Sequence, residues 1–320
     1  MADMTTRVLL VGCLILLDGC ASIGQAIAAA SAPTAPLSSG YRIVAPATVS
    51  ETAAPRMIEQ LARADVVFFG EQHDDPETHR AEAELLDAIG RTGRIVVLSL
   101  EMFERDVQPV LDDYLAGRVS ESEFVAQSRP WDRYATDYRR LIELAKDRHW
   151  RVVAANVPRP LASAIGRKGF AALDTLTVTE RRTAAREHVC PVADDYHARF
   201  MESMQTHSPA PGPGPRVSDS LPTAMAERFY LAQCIKDETM AESIVDARLA
   251  AARDAIVVHF DGAFHSDYSQ GTVARVKRRQ PGWTLAVVSA IPVADPAVAP
   301  IVTQSAKADY IIYTRRPRRP

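Results

Sequence analysis

The chain is short of several things that would assign it quickly. Its four cysteines in 320 residues include no CxxCH pair, which excludes a covalently attached c-type haem. There is no glycine-rich phosphate loop and no GxSxG elbow, so nucleotide binding and serine-hydrolase chemistry are disfavoured. Charge of neither sign dominates: the formal net charge of -3 gives no reason to expect a nucleic-acid partner. The one concentrated basic run, Arg315-Arg-Pro-Arg-Arg319, reads as a solvated tail over 315–320. There is no internal repeat. What remains is an ordinary globular composition, 47% hydrophobic and 24% charged, enough for one large domain or a domain with a lobe.

The amino terminus reads as a targeting segment. Arg7 precedes an apolar run over 8–17, well short of the roughly 20 residues that span a membrane. Leu17-Asp-Gly-Cys20 resembles a bacterial lipoprotein processing site with Cys20 as the lipidated residue, although Asp18 is unusual there. The alternative is ordinary cleavage near residues 28–30. Residues 21–40, rich in Ala, Ser and Pro, read as a flexible tether. Export leaves Cys190 and Cys234 as the mature pair, and an oxidising compartment favours a disulfide between them.

The organising stretch is Val66-Val-Phe-Phe-Gly-Glu-Gln-His-Asp-Asp-Pro-Glu-Thr-His79. Residues 66–69 predict a buried strand, Gly70 a turn, and Pro76 the first turn of a helix carried on by Ala81, Leu85, Leu86 and Ile89. Further buried strands are predicted at 95–100, 151–155, 255–260 and 285–290, with an edge strand at 310–314. Helices are predicted at 57–64, 105–117, 121–128, 134–148 and 271–279. Between 160 and 253 only helical patterns occur: 161–169, 179–188, 196–206 and 221–252, interrupted by a Pro and Gly linker at 207–215. The expectation is an α/β domain over 41–159 and 254–314, with a mainly parallel sheet flanked by helices and an inserted helical cap lobe at 160–253.

Parallel strands bring their carboxyl ends to one edge, where open α/β sheets bind ligands. Glu71 and His73 follow the first strand, Glu101 the second and His265 the fourth. His79, Asn156 and Asp261 lie close to the same ends. Two readings of this cluster stand. Imidazoles with carboxylates suit a divalent metal, with Glu71, His73 and His265 as candidate ligands. They equally suit a metal-free site in which a glutamate orients a histidine base, as in an esterase or peptidase. Tyrosine and histidine also bind haem iron, and Tyr196, His197, His207, Tyr230 and Tyr268 are the candidates.

The segments Phe69-Gly-Glu-Gln-His-Asp-Asp-Pro-Glu-Thr-His79, Ser99-Leu-Glu-Met-Phe103, Ala155-Asn-Val-Pro158, Ala232-Gln-Cys-Ile-Lys-Asp-Glu-Thr-Met-Ala241 and Gly262-Ala-Phe-His265 together resemble the ChaN family of haem-binding, iron-regulated lipoproteins. That family is grouped with the Tiki and TraB proteins and the erythromycin esterases. The resemblance implies an α/β domain with a helical cap and haem held between the protomers of a homodimer. It further implies a role in haem or iron uptake at the outer membrane, with an outer-membrane haem receptor as a possible partner. It also implies a tyrosine as iron ligand, without pointing to one tyrosine of this chain. Location is then the periplasmic face of the outer membrane, or the soluble periplasm if the amino terminus is simply cleaved.

Overall fold

The computed structural model describes residues 40–206, 223–300 and 306–316. The targeting segment, Cys20, His207 and the end of the basic tail lie outside the described residues. Eight strands form one sheet: β1 (Arg42–Ala45), β2 (Ser50–Glu51), β3 (Val66–Glu71), β4 (Ile95–Glu104), β5 (Arg151–Asn156), β6 (Ala255–Gly262), β7 (Leu285–Val293) and β8 (Tyr310–Arg315). Their order is β2-β1-β8-β7-β3-β6-β4-β5. From β8 to β5 every neighbouring pair is parallel, while β1 runs antiparallel to both β8 and β2. This is the mainly parallel α/β sheet expected from the alternation of strands and helices.

The strands are buried on both faces, which is why they read as unbroken apolar runs. Val67, Phe69, Leu98, Leu100 and Val258 pack on one side with α1 (Ala54–Leu61), α2 (Pro76–Gly90), α3 (Gln108–Leu115), α4 (Glu121–Ser128) and α5 (Arg139–Asp147). Val66, Phe68, Val97 and Val257 face the other side. There they meet Met240, Ala241 and Ile244 of α9 (Thr223–Ala250) and Val273 and Val276 of α10 (Gly271–Arg279). The remaining helices are α6 (Arg159–Lys168), α7 (Val178–Arg181) and α8 (Asp195–Thr206). The first half of α9 packs with α8 around Tyr196, Phe200 and Tyr230. Its second half belongs to the layer that covers the sheet.

Four local expectations differ from what is seen. β4 runs on to Glu104, with its register to β5 shifting between Leu100 and Glu104, so Glu101 lies within the strand rather than after it. The helix expected over 134–148 begins with a π-helical turn, Tyr134–Tyr138. Only Val178–Arg181 of the helix expected over 179–188 forms, because the following residues turn to bond α9: Ala185 N donates to Thr239 and Arg186 N to Glu242. β8 runs one residue past the strand expected over 310–314, to Arg315, whose exposed side chain pairs with Asp295 at 2.9 Å.

Candidate functional site

The first strand and helix place the organising loop. Asp75 caps α2, its side chain accepting from Thr78 N at 2.9 Å and from Thr314 Oγ1 at 3.0 Å. Gly70, at the end of β3, lets β3 lie against the turn after β6. A methyl group there would stand 2.8 Å from Ser266 Oγ and 2.9 Å from Ala263 Cα. Gly262 serves the same purpose one strand over: a Cβ on it would fall 2.7 Å from His73 Nε2 and 3.6 Å from Glu101 Oε2. His73 can therefore pack directly on the backbone of residue 262 because that residue has no side chain.

Glu71, His73, Glu101 and His265 line one cleft of ≈ 550 Å³ at the carboxyl edge of the sheet. Gln72, Trp131, Arg199, Phe200, Gln233, Lys236 and Phe264 complete most of its wall. His73 is the half-exposed imidazole: its Nδ1 donates to Glu71 Oε1, and its ring stands edge-on to Trp131 at 4.9 Å. Burial works against charge on His73, but the Glu71 hydrogen bond and nearby Glu101 outweigh it and raise its pKa. Glu71 itself is buried, and Tyr138 OH donates to the same oxygen at 2.8 Å.

His265 is not available in the same way. Nδ1 donates to Asp237 Oδ1 at 2.7 Å, and Nε2 lies 3.3 Å from Glu101 Oε1. Burial alone would discharge the ring, yet the two carboxylates more than offset it and push its pKa up to about 10. Glu101 is held well below the usual carboxylate range: burial opposes its charge, and His265 beside it reverses the effect. At neutral pH His265 is an imidazolium with no lone pair, suited to anchoring Glu101 rather than to acting as a base or metal ligand. Glu101 Oε2 in turn accepts from Gly262 N at 2.7 Å, tying β4 to β6.

The sign of the linkage follows. A group whose folded pKa lies above its unfolded value of about 6.5 stabilises fully below that value and loses the contribution as pH rises through its folded pKa. His265 should therefore remain protonated at pH 8, and unfolding free energy should fall between about pH 7 and pH 10. A pH titration of histidine ring resonances, with His265→Gln for assignment, checks it; a His265 midpoint near the ordinary value of about 6.5 would refute the paired geometry.

The other expected residues are placed differently. Asn156 fixes the end of β5, donating from Nδ2 to Glu101 O at 3.1 Å. Asp261 is fully buried with Oδ1 accepting from Ser266 at 2.7 Å, and burial drives its pKa well above the carboxylate range, so it does not face the cleft as an anion. His79 lies beneath the floor beside Glu82. Tyr196 donates its hydroxyl to Asp237 Oδ2 at 2.7 Å, and burial raises its pKa well above that of an ordinary phenol. Tyr230 is spent on Pro191 O at 2.5 Å, and His197 Nε2 lies 2.9 Å from Glu227. These three side chains sit behind the cleft wall. The Tyr268 ring lies under Arg199, 4.4 Å from the guanidinium carbon to its centroid. Cys190 and Cys234 are joined in a disulfide with Cα atoms 5.8 Å apart, pinning the segment before α8 to α9.

Sequence reasoning missed Asp237, Tyr138, Trp131, Lys236, Arg199 and Glu82. Only Asp237 carried a signal, an Asp237-Glu238 pair midway along a helix whose neighbouring turns carry Ile235, Met240 and Ile244. Both are fully buried, and Arg275 and Arg278 partner Glu238.

Fold and cleft define a mainly parallel α/β protein with a polar cleft at the carboxyl edge of the sheet, walled in part by residues from α8 and α9. The chain belongs to the family described as haem-binding uptake, Tiki superfamily, ChaN, whose pattern matches residues 57–276. No curated protein sequence matches it. Among solved structures, ChaN of Campylobacter jejuni with cofacially bound haem is similar with a TM-score of 0.64 at 15% identity, over 85% of this chain and 96% of that one. An erythromycin esterase in its open conformation is similar at 11% identity, covering 78% of this chain and 76% of that one, TM-score 0.45. A Bacillus cereus protein is similar at 9% identity over 82% and 92%, TM-score 0.46. The likeness to the Campylobacter protein shows the fold, and the other two are too distant to bear on chemistry. Among the described residues no helix is long and apolar enough to cross a membrane.

Proposed function

We propose that the chain binds haem in the cleft at the carboxyl edge of the sheet and serves haem or iron uptake as an exported, lipid-anchored protein. The observation that carries the reading is the composition of the cleft wall. Trp131, Phe200 and Phe264 line it with aromatic rings against which an apolar ligand would pack, while Arg199 and Lys236 stand at the same cleft as cations for its carboxylates. His73 is the half-exposed imidazole there, with Glu71 behind it, the arrangement that holds a metal-binding histidine in one orientation. When bound, haem would supply iron as a cargo or redox centre. The chain's own residues would orient it, pair its carboxylates and cover it, with α6 to α8 and the first half of α9 as the cap.

A haem titration of the mature protein, followed by absorbance and size-exclusion chromatography, tests this. A saturable Soret shift is expected, with dimer formation on the same samples; its absence sinks the reading. Lys236→Ala should weaken binding about tenfold, the scale of one lost charge-assisted hydrogen bond. His73→Ala should change the spectrum of the bound haem as well as its affinity.

A second reading rests on the pairing of His73 with Glu71 at the cleft that Glu101 also lines. His73, backed by Glu71, could activate a water there toward an ester or amide, with Glu101 alongside. Turnover in an esterase and peptidase screen, abolished by His73→Ala, would favour it over haem binding.

A further inference from the structure

Behind the Glu71 that orients His73, and beneath the cleft floor, lie His79 and Glu82, which haem binding does not use. We propose that Glu71, His79 and Glu82 form a buried site for one divalent transition-metal ion. One ligand atom from each lies within 4.8 Å of the others, and Glu71, His79 and Glu82 are 2%, 4% and 0% exposed. Two of the oxygens ask for a partner. Glu71 Oε2 and Glu82 Oε1 are buried with no donor from any other residue, which leaves them either an ion or a proton shared between the two carboxyls.

The orientation of the histidine is the second observation. His79 Nε2 lies 3.2 Å from His73 O and 3.3 Å from Asp137 Oδ2. These two acceptors hold the Nε2 edge of the ring, which leaves its Nδ1 edge turned toward the carboxylates. Nδ1 is 3.0 Å from Glu82 Oε2 and 3.5 Å from Glu71 Oε2. Glu71 is braced in the same sense: Oε1 accepts from Tyr138 OH and His73 Nδ1, leaving Oε2 facing inward. Outer partners that fix a histidine tautomer and occupy a carboxylate's second oxygen are what metal ligands ordinarily have. Asp137, the next carboxylate, is already paired with Arg133.

One imidazole nitrogen with carboxylate oxygens selects manganese, iron or zinc over calcium and magnesium, which take oxygen alone. A divalent ion would offset the charge of the two carboxylates that bind it. The ion would sit behind Glu71, on the far side from His73, and so would be separate from any iron held in the cleft. It would also draw charge from Glu71 and slacken its hold on His73, so that occupancy of the lower site tunes the imidazole above.

The test uses the mature protein purified without chelator: metal content by mass spectrometry, then calorimetric titration of chelator-treated protein with manganese chloride and zinc chloride. Expected is one equivalent in the wild type, with affinity at least about tenfold lower in Glu82→Gln and a rise in melting temperature only where the ion binds. No saturable uptake in the wild type overturns the proposal and leaves a proton shared by the two glutamates. Uptake lost in His73→Ala but kept in Glu82→Gln also overturns it, because the ion would then lie in the cleft. If Glu82→Gln fails to fold, X-ray absorption on the loaded wild type decides: one imidazole with oxygen ligands supports the site, and two imidazoles refute it.

Discussion

Asp237→Ala should be the most destabilising single substitution at the site, lowering the unfolding free energy by about 3–5 kcal/mol, the range for removing one partner of a buried ion pair. Asp237 is fully buried midway along α9. Its Oδ1 accepts from His265 at 2.7 Å and from Thr272 at 3.0 Å, while Oδ2 accepts from Tyr196 at 2.7 Å. Truncation strands the His265 charge and two hydroxyl groups together, and collapse cannot repair a helix interior held on three sides. Asp237→Asn, which keeps the shape, should lose less and should lower the His265 pKa. Equilibrium denaturation in urea measures the first effect, and the histidine ring titration the second. A loss below about 1 kcal/mol for the alanine variant, typical of an exposed pair, would show that the network is not formed.

Gly262→Ala should be the most damaging substitution for ligand binding, reducing haem affinity by on the order of a hundredfold, as expected when a displacement of about 1 Å breaks a positioned group. The added methyl would meet His73 Nε2 at 2.7 Å, and contacts under 3.0 Å force a neighbour to move. His73 is half exposed and gives way more cheaply than backbone, so stability should fall much less than binding does. His73 would swing off Glu71, altering the spectrum of whatever haem remained. A haem titration of this variant, run beside urea denaturation, separates the two effects. Binding at wild-type strength with His73 displaced would show that this imidazole has no part in the site.

Much of the frame is legible in the order of the amino acids. The run Val66 to Phe69 could only be a strand buried on both faces, and Pro76 with Asp75 before it could only open a helix. The positions of Glu71, Glu101 and His265 at the ends of successive apolar runs placed them on one edge, because parallel strands share a direction. Short or polar pieces were silent: β1 has four residues and takes its register from β8, at the other end of the chain. The end of the helix at Arg181 was equally hidden, since the competing bonds come from Thr239 and Glu242.

The sequence by itself determined the α/β class and the sheet edge at which the cleft lies, and it brought Glu71, His73, Glu101 and His265 to that edge. Tertiary structure decided what each residue is there. Nothing in the chain order distinguishes His73 from His265, yet one imidazole is half exposed with a single carboxylate and the other is buried between two. Charge state depends on desolvation and on partners such as Asp237, Tyr138 and Glu82, and those partners are neighbours only in space.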